Sequence, residues 1–454
     1  MYIVRGKPIV GGLREYRTDS LSYFLNSALE AGPDADMLRF RIGFTTFYMP
    51  IAPHLIREIL VSRANLFDKS KIDLRVLQPS LGNGLLTSNG NYHRRQRRLI
   101  QPAFHPDRLG AYAAVMKDFA ADHIQDWRDG QEKNIAHEMM RLTMFIVARA
   151  LFHADVRSVA EEIGTAIQDL QEAADIDLQR GFPLPHWLPT PNNRRRKRSR
   201  SILRNRLTPI IEQHRQGEQS DAHDLLSMLL SARDDDGSRL TPGEVYDQTV
   251  TLFAAGHETT SNALTWCWYL LSQHPHVEAQ LHSELESRRM PTESTATGGL
   301  SRIVSDADFA RLPFTQQIVK ETLRLYPPAW MLMGRELNTD ARVGDYQFKR
   351  GTVFFISPYV MHRLPQFFEN PTEFNPDRFT PENESGINRF AYIPFGAGPH
   401  VCIGNYFAQL EATLLLASIA RHFRLELHPD QAVRPRARIT LSNEGGMRMI
   451  LRAR

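Results

Sequence analysis

Cysteine is nearly missing from this chain: its 454 residues include two, Cys267 and Cys402. That scarcity excludes a disulfide framework and every zinc pattern built from several thiolates, and it points to a reducing, cytoplasmic setting. Long apolar runs are missing too. Met1–Gly12 lacks the apolar core of a secretory signal or anchor, and no later stretch approaches the ~18–20 uninterrupted apolar residues that span a bilayer. Excess charge is also absent. The 55 Lys+Arg stand against 51 Asp+Glu, and a net +4 is too mild for a nucleic-acid binder. No internal repeat occurs, and no glycine-rich phosphate fingerprint for a nicotinamide cofactor.

What is present is an ordinary globular composition, 42% hydrophobic and 23% charged, sufficient for a sizeable core. Length alone suggests more than one domain. The chemistry in the middle of the chain and near its C-terminus nevertheless needs both parts together, so one domain over 1–454 is expected. Alternating β-branched and aromatic residues in Leu38–Arg41 and Thr45–Met49, across Gly43, predict a hairpin. From Pro53 the apolar spacing turns helical, as in Ile56–Val61, Leu109–Trp127 and Met139–Leu151. Strand-like composition returns at Val353–Ser357 after a turn at Lys349–Gly351. The fold class is therefore mainly α (α+β), with β-rich portions at about 30–60 and 335–360 and helix elsewhere.

Ser283–Ser305 and the proline-rich Phe182–Asn193 read as loops. The second leads into Arg194–Arg200, a basic run read as a solvated helical face, with membrane contact as the alternative. One long helix has a sharp start, because Thr241 and Glu244 form a capping-box pattern around Pro242; it is expected to run through Leu271 and stop before Pro275. Another covers Leu312–Tyr326 and ends at Pro327–Pro328.

The chemistry concentrates in Phe395-Gly-Ala-Gly-Pro-His-Val-Cys-Ile-Gly404. Gly396, Gly398 and Gly404 allow tight turns and the close approach of a flat ligand. Asn405–Arg421 reads as a helix, so Cys402 lies just before a helix N-terminus, where exposed amides stabilise a thiolate. A lone cysteine in that position is by itself more often a buried core residue. Cys267, between Trp266 and Trp268 with no glycine near it, carries no such pattern. In the long helix, Ala255-Gly-His-Glu-Thr-Thr260 puts Ala255 and Thr259 on one face, with small residues leaving room beside it. By itself this could be a polar cluster in an ordinary helix.

Phe395, Gly398, His400, Cys402 and Gly404 together resemble the haem-ligand loop of the cytochrome P450 family. The resemblance covers nearly the whole chain and implies haem b (iron protoporphyrin IX) with Cys402 as the axial thiolate, a ligand that favours O–O cleavage. It implies that Glu258 and Thr259 form the oxygen-activation pair, with Ala255 close to the iron. His400, Arg335, His93 and Arg97 match propionate contacts, with Phe395, Gly396 and Gly404 beside the cofactor. Glu321, Arg324 and Arg378 match a buried structural ion-pair network. His257 occupies a variable position and is assigned no chemistry. Arg94, Arg95 and Arg98 are left as solvated cations that could serve an acidic redox partner.

The expected reaction is insertion of one oxygen atom from O₂ into an apolar small molecule: a lipid, fatty acid, terpenoid or steroid-like compound. Leu77, Leu81, Leu85, Phe253, Trp330, Met331 and Leu332 are the candidate pocket wall. The hairpin tip Gly43–Tyr48 has Phe44 and no arginine for a fatty-acid carboxylate. The chain ends at Arg454 with no reductase domain after the cysteine loop, so electrons are expected from a separate ferredoxin or flavodoxin with its NAD(P)H-dependent reductase. The chain is expected to be a monomer. Competing readings are a peroxide-using haem-thiolate enzyme, an isomerase, and a haem sensor without turnover; the Glu258–Thr259 pair weighs against the first two.

Overall fold

The long helix, Pro242–Gln273, is the axis of the molecule. Its start is enforced by reciprocal capping: Thr241 Oγ1 accepts from the Glu244 amide at 3.2 Å, and Glu244 Oε2 accepts from the Thr241 amide at 2.7 Å. Such a cap contributes about 1 kcal/mol to a helix start. Pro275, opening the next helix Pro275–Ser287, sets the end. The axis is buried over most of its length and packs chiefly against the helix Ile135–Phe152.

The computed structural model describes residues 1–454 apart from 8–9, 153–156, 181–183, 186, 218–223, 235 and 288–308. It is mainly helical with smaller sheets, as the hydrophobic periods require. The hairpin spans Met37–Ile42 and Thr45–Pro50, paired Phe40 to Phe47. It belongs to a six-stranded sheet running Tyr2–Ile3, Met37–Ile42, Thr45–Pro50, Val353–Phe354, Arg335–Leu337 and Phe67–Lys69. The edge pairing sets Lys69 opposite Arg335.

The helix Asn405–Ala420 follows the cysteine loop and is buried on every side from Leu410 onward. It contacts the long axis and the helix Pro313–Leu325. The roof is formed by the helices Arg157–Arg180 and Pro191–Arg215, the first of which also lies against Lys71–Leu81. Most of the expected loop Ser283–Ser305 falls outside the described residues, but its first five residues complete the helix Pro275–Ser287. Of the expected loop Phe182–Asn193, Pro191 onward is helical, and 182–183 and 186 are not described. No helix among the described residues is long and apolar enough to cross a membrane.

Candidate functional site

The loop that carries Cys402 is folded by its own backbone. The Cys402 amide donates to the Phe395 carbonyl at 2.9 Å, and the Gly396 amide to Ile393 at 3.0 Å. Gly396 and Gly398 have φ of 71° and 70°, the region that a β-carbon disfavours. At Gly398 the constraint is double, because a β-carbon would stand 1.8 Å from the Leu60 carbonyl oxygen. Gly404 differs from these two. As the N-cap of the following helix it has φ −93°, and a β-carbon there would find only Phe104 at 3.8 Å, so its role is not that of a tight turn.

Cys402 keeps accessible surface even though protein surrounds it, as a thiol facing an internal space does. Burial raises its pKa, while the Gly404 amide and the Arg97 guanidinium pull it down. Cys267 has no such outlet: fully buried, with Sγ donating to Thr322 Oγ1 at 3.1 Å, its thiol is pushed up to about 12. Ala255 likewise keeps accessible surface in the middle of the buried axis, with Gly256, Glu258 and Thr259 partly open beside it.

Beside the cysteine loop lies a largely buried cluster of basic side chains. The strand pairing brings Lys69 and Arg335 together, and the helix Gly90–Ile100 adds His93 and Arg97. His400 completes it, its ring centroid 4.1 Å from that of His93. Arg97 Nη1 donates to the Val401 carbonyl at 2.6 Å, and Lys69 Nζ to Leu85 at 2.9 Å. Burial, then the neighbouring cations, lowers His93 to about 3 and His400 to about 2, and takes Lys69 well below its usual value. Asp73 is the carboxylate that faces Arg335, yet burial moves its pKa up to about 6. His400 Nδ1 has no hydrogen-bond partner among the described residues. A buried place with this surplus of donors fits a dianionic group, and a haem with its two propionates would meet that demand. Sequence reasoning missed Lys69, since nothing in Phe67–Lys69 marks a buried lysine.

The structural network is closely knit. Glu321 accepts from Arg324 Nε at 2.7 Å and Nη2 at 2.8 Å, and from the Asn375 amide at 2.9 Å; Arg378 Nε lies 3.4 Å away. Glu321 and Arg324 are both wholly buried. Arg324 also donates to the His362, Pro371 and Glu373 carbonyls. His362 Nε2 then accepts from the Ile393 amide at 2.9 Å, linking the network to the base of the cysteine loop.

Glu258 is gripped by Thr440 and Gln171, and burial raises its pKa. The Thr259 hydroxyl donates to the Ala255 carbonyl at 2.8 Å. His257, left without chemistry, is buried with Nδ1 donating to Phe253 at 2.7 Å; burial takes it down to about 4.

Some expected positions differ. Phe253 is wholly buried and packs on His257, away from the open face at Ala255, so it is core and not pocket wall. Trp330 is also core: its indole donates to the Arg438 carbonyl at 2.6 Å and its ring lies near Phe24. Leu332 borders Gly396, and Met331 is partly buried with it. Leu81 and Leu85 pack within the large cluster that includes Leu252 and Ala254, while Leu77 joins Ala174 and Met333. Arg95 and Arg98 are not free cations: Arg95 pairs with Asp234 and Glu244, and Arg98 with Asp234.

Comparison with known proteins places nearly the whole chain in a family. The family model for Cytochrome P450 matches residues 5–447. Cyclooctatin synthase of Streptomyces melanosporofaciens is 38% identical over 417 residues, 91% of this chain and 88% of that protein. Pentalenene oxygenase of Streptomyces avermitilis is 34% identical over 450 residues, 98% and 96% of the two chains. Cyclooctat-9-en-7-ol 5-monooxygenase of Streptomyces melanosporofaciens is 34% identical over 399 residues, 87% and 83%. The chain belongs to the cytochrome P450 family and is a monooxygenase whose cofactor is haem.

Proposed function

We propose that Cys402 is the haem ligand, that Lys69, His93, Arg97, Arg335 and His400 hold the propionates, and that the substrate is a largely hydrocarbon, terpenoid-type molecule. The observation that carries the site assignment is the buried cluster of basic side chains set against the cysteine loop, with Lys69 opposite Arg335 and with His93, Arg97 and His400 beside them, a collection of donors that suits a dianion. The substrate class rests on the relatives, whose names specify an olefin and an olefinic alcohol. It rests also on the apolar, partly open positions Met331, Leu332 and Met333. Methionine adapts to an irregular ligand surface.

When bound, a thiolate-ligated haem activates O₂, so that one oxygen atom enters the substrate and the other leaves as water. The protein's own groups manage the protons. Glu258, with its raised pKa, takes a proton from the solvent side at a carboxyl oxygen. The Thr259 hydroxyl passes it inward by turning from the Ala255 carbonyl. Ala255 keeps that face of the axis clear, since a larger side chain there would fill it, while Gly256 admits the close approach of Val147 from the helix Ile135–Phe152.

Electrons come from a separate ferredoxin or flavodoxin and its NAD(P)H-dependent reductase. A groove of about 1020 Å³ on the outer side of the cysteine loop, bordered by Arg57, Arg389, Val401 and Gln409, suits an acidic partner of that kind. The chain acts as a monomer.

The test is the dithionite-reduced spectrum with carbon monoxide for the wild type and Cys402→Ser. A strongly red-shifted Soret band in the wild type, lost in the variant, establishes the ligand; an unchanged variant spectrum refutes it. A panel of cyclic hydrocarbons, fatty acids and steroids scored for low-spin to high-spin shifts then separates the substrate classes.

A further inference from the structure

The carboxyl of Glu258 is held at both oxygens by side chains distant in sequence. Thr440 Oγ1 donates to Oε1 at 2.5 Å, and Gln171 Nε2 donates to Oε2. Thr440 has no freedom in this. Its hydroxyl oxygen accepts from Asn262 Nδ2 at 3.1 Å, and an amide NH₂ only donates, so the single hydroxyl proton goes to Glu258. Asn262 stands one turn after Glu258 on the same face of the axis. The segment bearing Thr440 is itself pinned: Trp266 Nε1 donates to the Leu441 carbonyl at 3.2 Å, and the Leu441 amide to Pro328 at 2.9 Å.

Gln171 reaches Glu258 from the roof helix Arg157–Arg180. One turn further along that helix lies Asp175, and Arg438, two residues before Thr440, comes within 3.8 Å of it. Asp175 and Arg438 are the charged groups that bear on Glu258, one from each of the two elements that grip it. The Arg438 side chain is about one-third exposed, so this polar ladder reaches solvent.

We propose that Gln171 and Thr440 are positioning residues that hold both oxygens of Glu258 as an anion on the solvent side of the axis, away from Thr259, and that release of one grip lets the carboxyl turn inward with its proton. An anion accepting at both oxygens has its hydrogen bonds satisfied, whereas a protonated carboxyl in the same place would set its own hydrogen against a donor. The two grips therefore work against the burial that favours the neutral acid. Because Gln171 belongs to the roof helix, the state of the acid depends on where that helix sits. The inference rests on Glu258 as the proton-supplying acid.

The experiment uses haem-loaded wild type, Glu258→Gln, Gln171→Leu, Thr440→Val and Thr440→Ser. Infrared difference spectra across pH follow the carboxyl band, identified as the one that Glu258→Gln removes. Its midpoint should rise by about one pH unit or more in Gln171→Leu and Thr440→Val, the loss of a hydrogen bond to a charged group. It should stay in place in Thr440→Ser, which keeps the hydroxyl. A midpoint unmoved in both grip variants overturns the proposal. Peroxide released per NADPH through a surrogate ferredoxin and reductase tests the underlying assignment separately. It should rise in Glu258→Gln, and no rise there sinks the acid role itself. A midpoint unmoved beside an intact Glu258→Gln effect sinks the grips alone.

Discussion

Arg97 Nη1 and the Val401 carbonyl, 2.6 Å apart, tie the helix Gly90–Ile100 to the residue before Cys402. The same guanidinium lies in the cluster of basic side chains and lowers the pKa of the Cys402 thiol, so one side chain serves the loop, the proposed ligand and the proposed clamp.

Lys69 shares that cluster without any backbone duty towards the cysteine loop. Lys69→Met should leave the fold intact and speed haem loss by about tenfold, the effect of one charge-assisted hydrogen bond. Transfer of haem to apomyoglobin measures it, and an unchanged rate would remove Lys69 from the clamp.

Glu321→Gln removes the only carboxylate that Arg324 meets among the described residues, leaving a buried guanidinium without its counter-charge. A loss of about 3–5 kcal/mol in unfolding free energy is expected. Urea denaturation of the holoprotein reads it directly, and a loss below 1 kcal/mol contradicts the buried network.

Gly398→Ala meets both a left-handed backbone and the Leu60 carbonyl. The variant should lose about 3 kcal/mol or more and accumulate little haem-loaded protein. Gly445→Ala is the control: its φ is 78° but nothing lies within 4 Å, so strain alone should cost about 1 kcal/mol. Equal losses in the two would mean that the Leu60 contact is not rigid.

Glu411 lies wholly buried on the helix after Cys402, with neither carboxyl oxygen in a hydrogen bond of good geometry. Burial pushes its pKa up to about 8, with the Thr260 hydroxyl opposing. The folded chain thus binds this proton more tightly than the unfolded chain. The resulting stability is complete below the ordinary carboxyl range and is lost as pH rises through about 8. Glu411→Gln should flatten that decline, with a wild-type-minus-variant difference of up to a few kcal/mol between pH about 5 and 9. Parallel curves would show that Glu411 titrates normally.

The readable parts of the sequence were those whose chemistry is local. The cysteine loop needs its glycines within a few residues, the capping box spans Thr241 to Glu244, and the hairpin alternates around Gly43. Lys69 escaped notice because its meaning comes from a strand pairing with Arg335, far along the chain. Gln171 and Thr440 escaped for the same reason. Phe253 was misplaced because a helical period identifies faces without saying which one is open. Arg95 and Arg98 seemed free in a basic run, but Asp234 and Glu244 arrive from elsewhere to pair with them.

The bond from Arg97 to Val401 joins residues 304 positions apart. A ribosome delivers the N-terminal partner long before the C-terminal one. A nascent chain therefore carries Lys69, His93 and Arg97 before Arg335, His400 and Cys402, the rest of the proposed site, have emerged. On the proposed site, cofactor loading has to wait for the C-terminal part of the chain. A message truncated upstream of the cysteine loop would yield a polypeptide that lacks His400 and Cys402 and with them the proposed haem ligand.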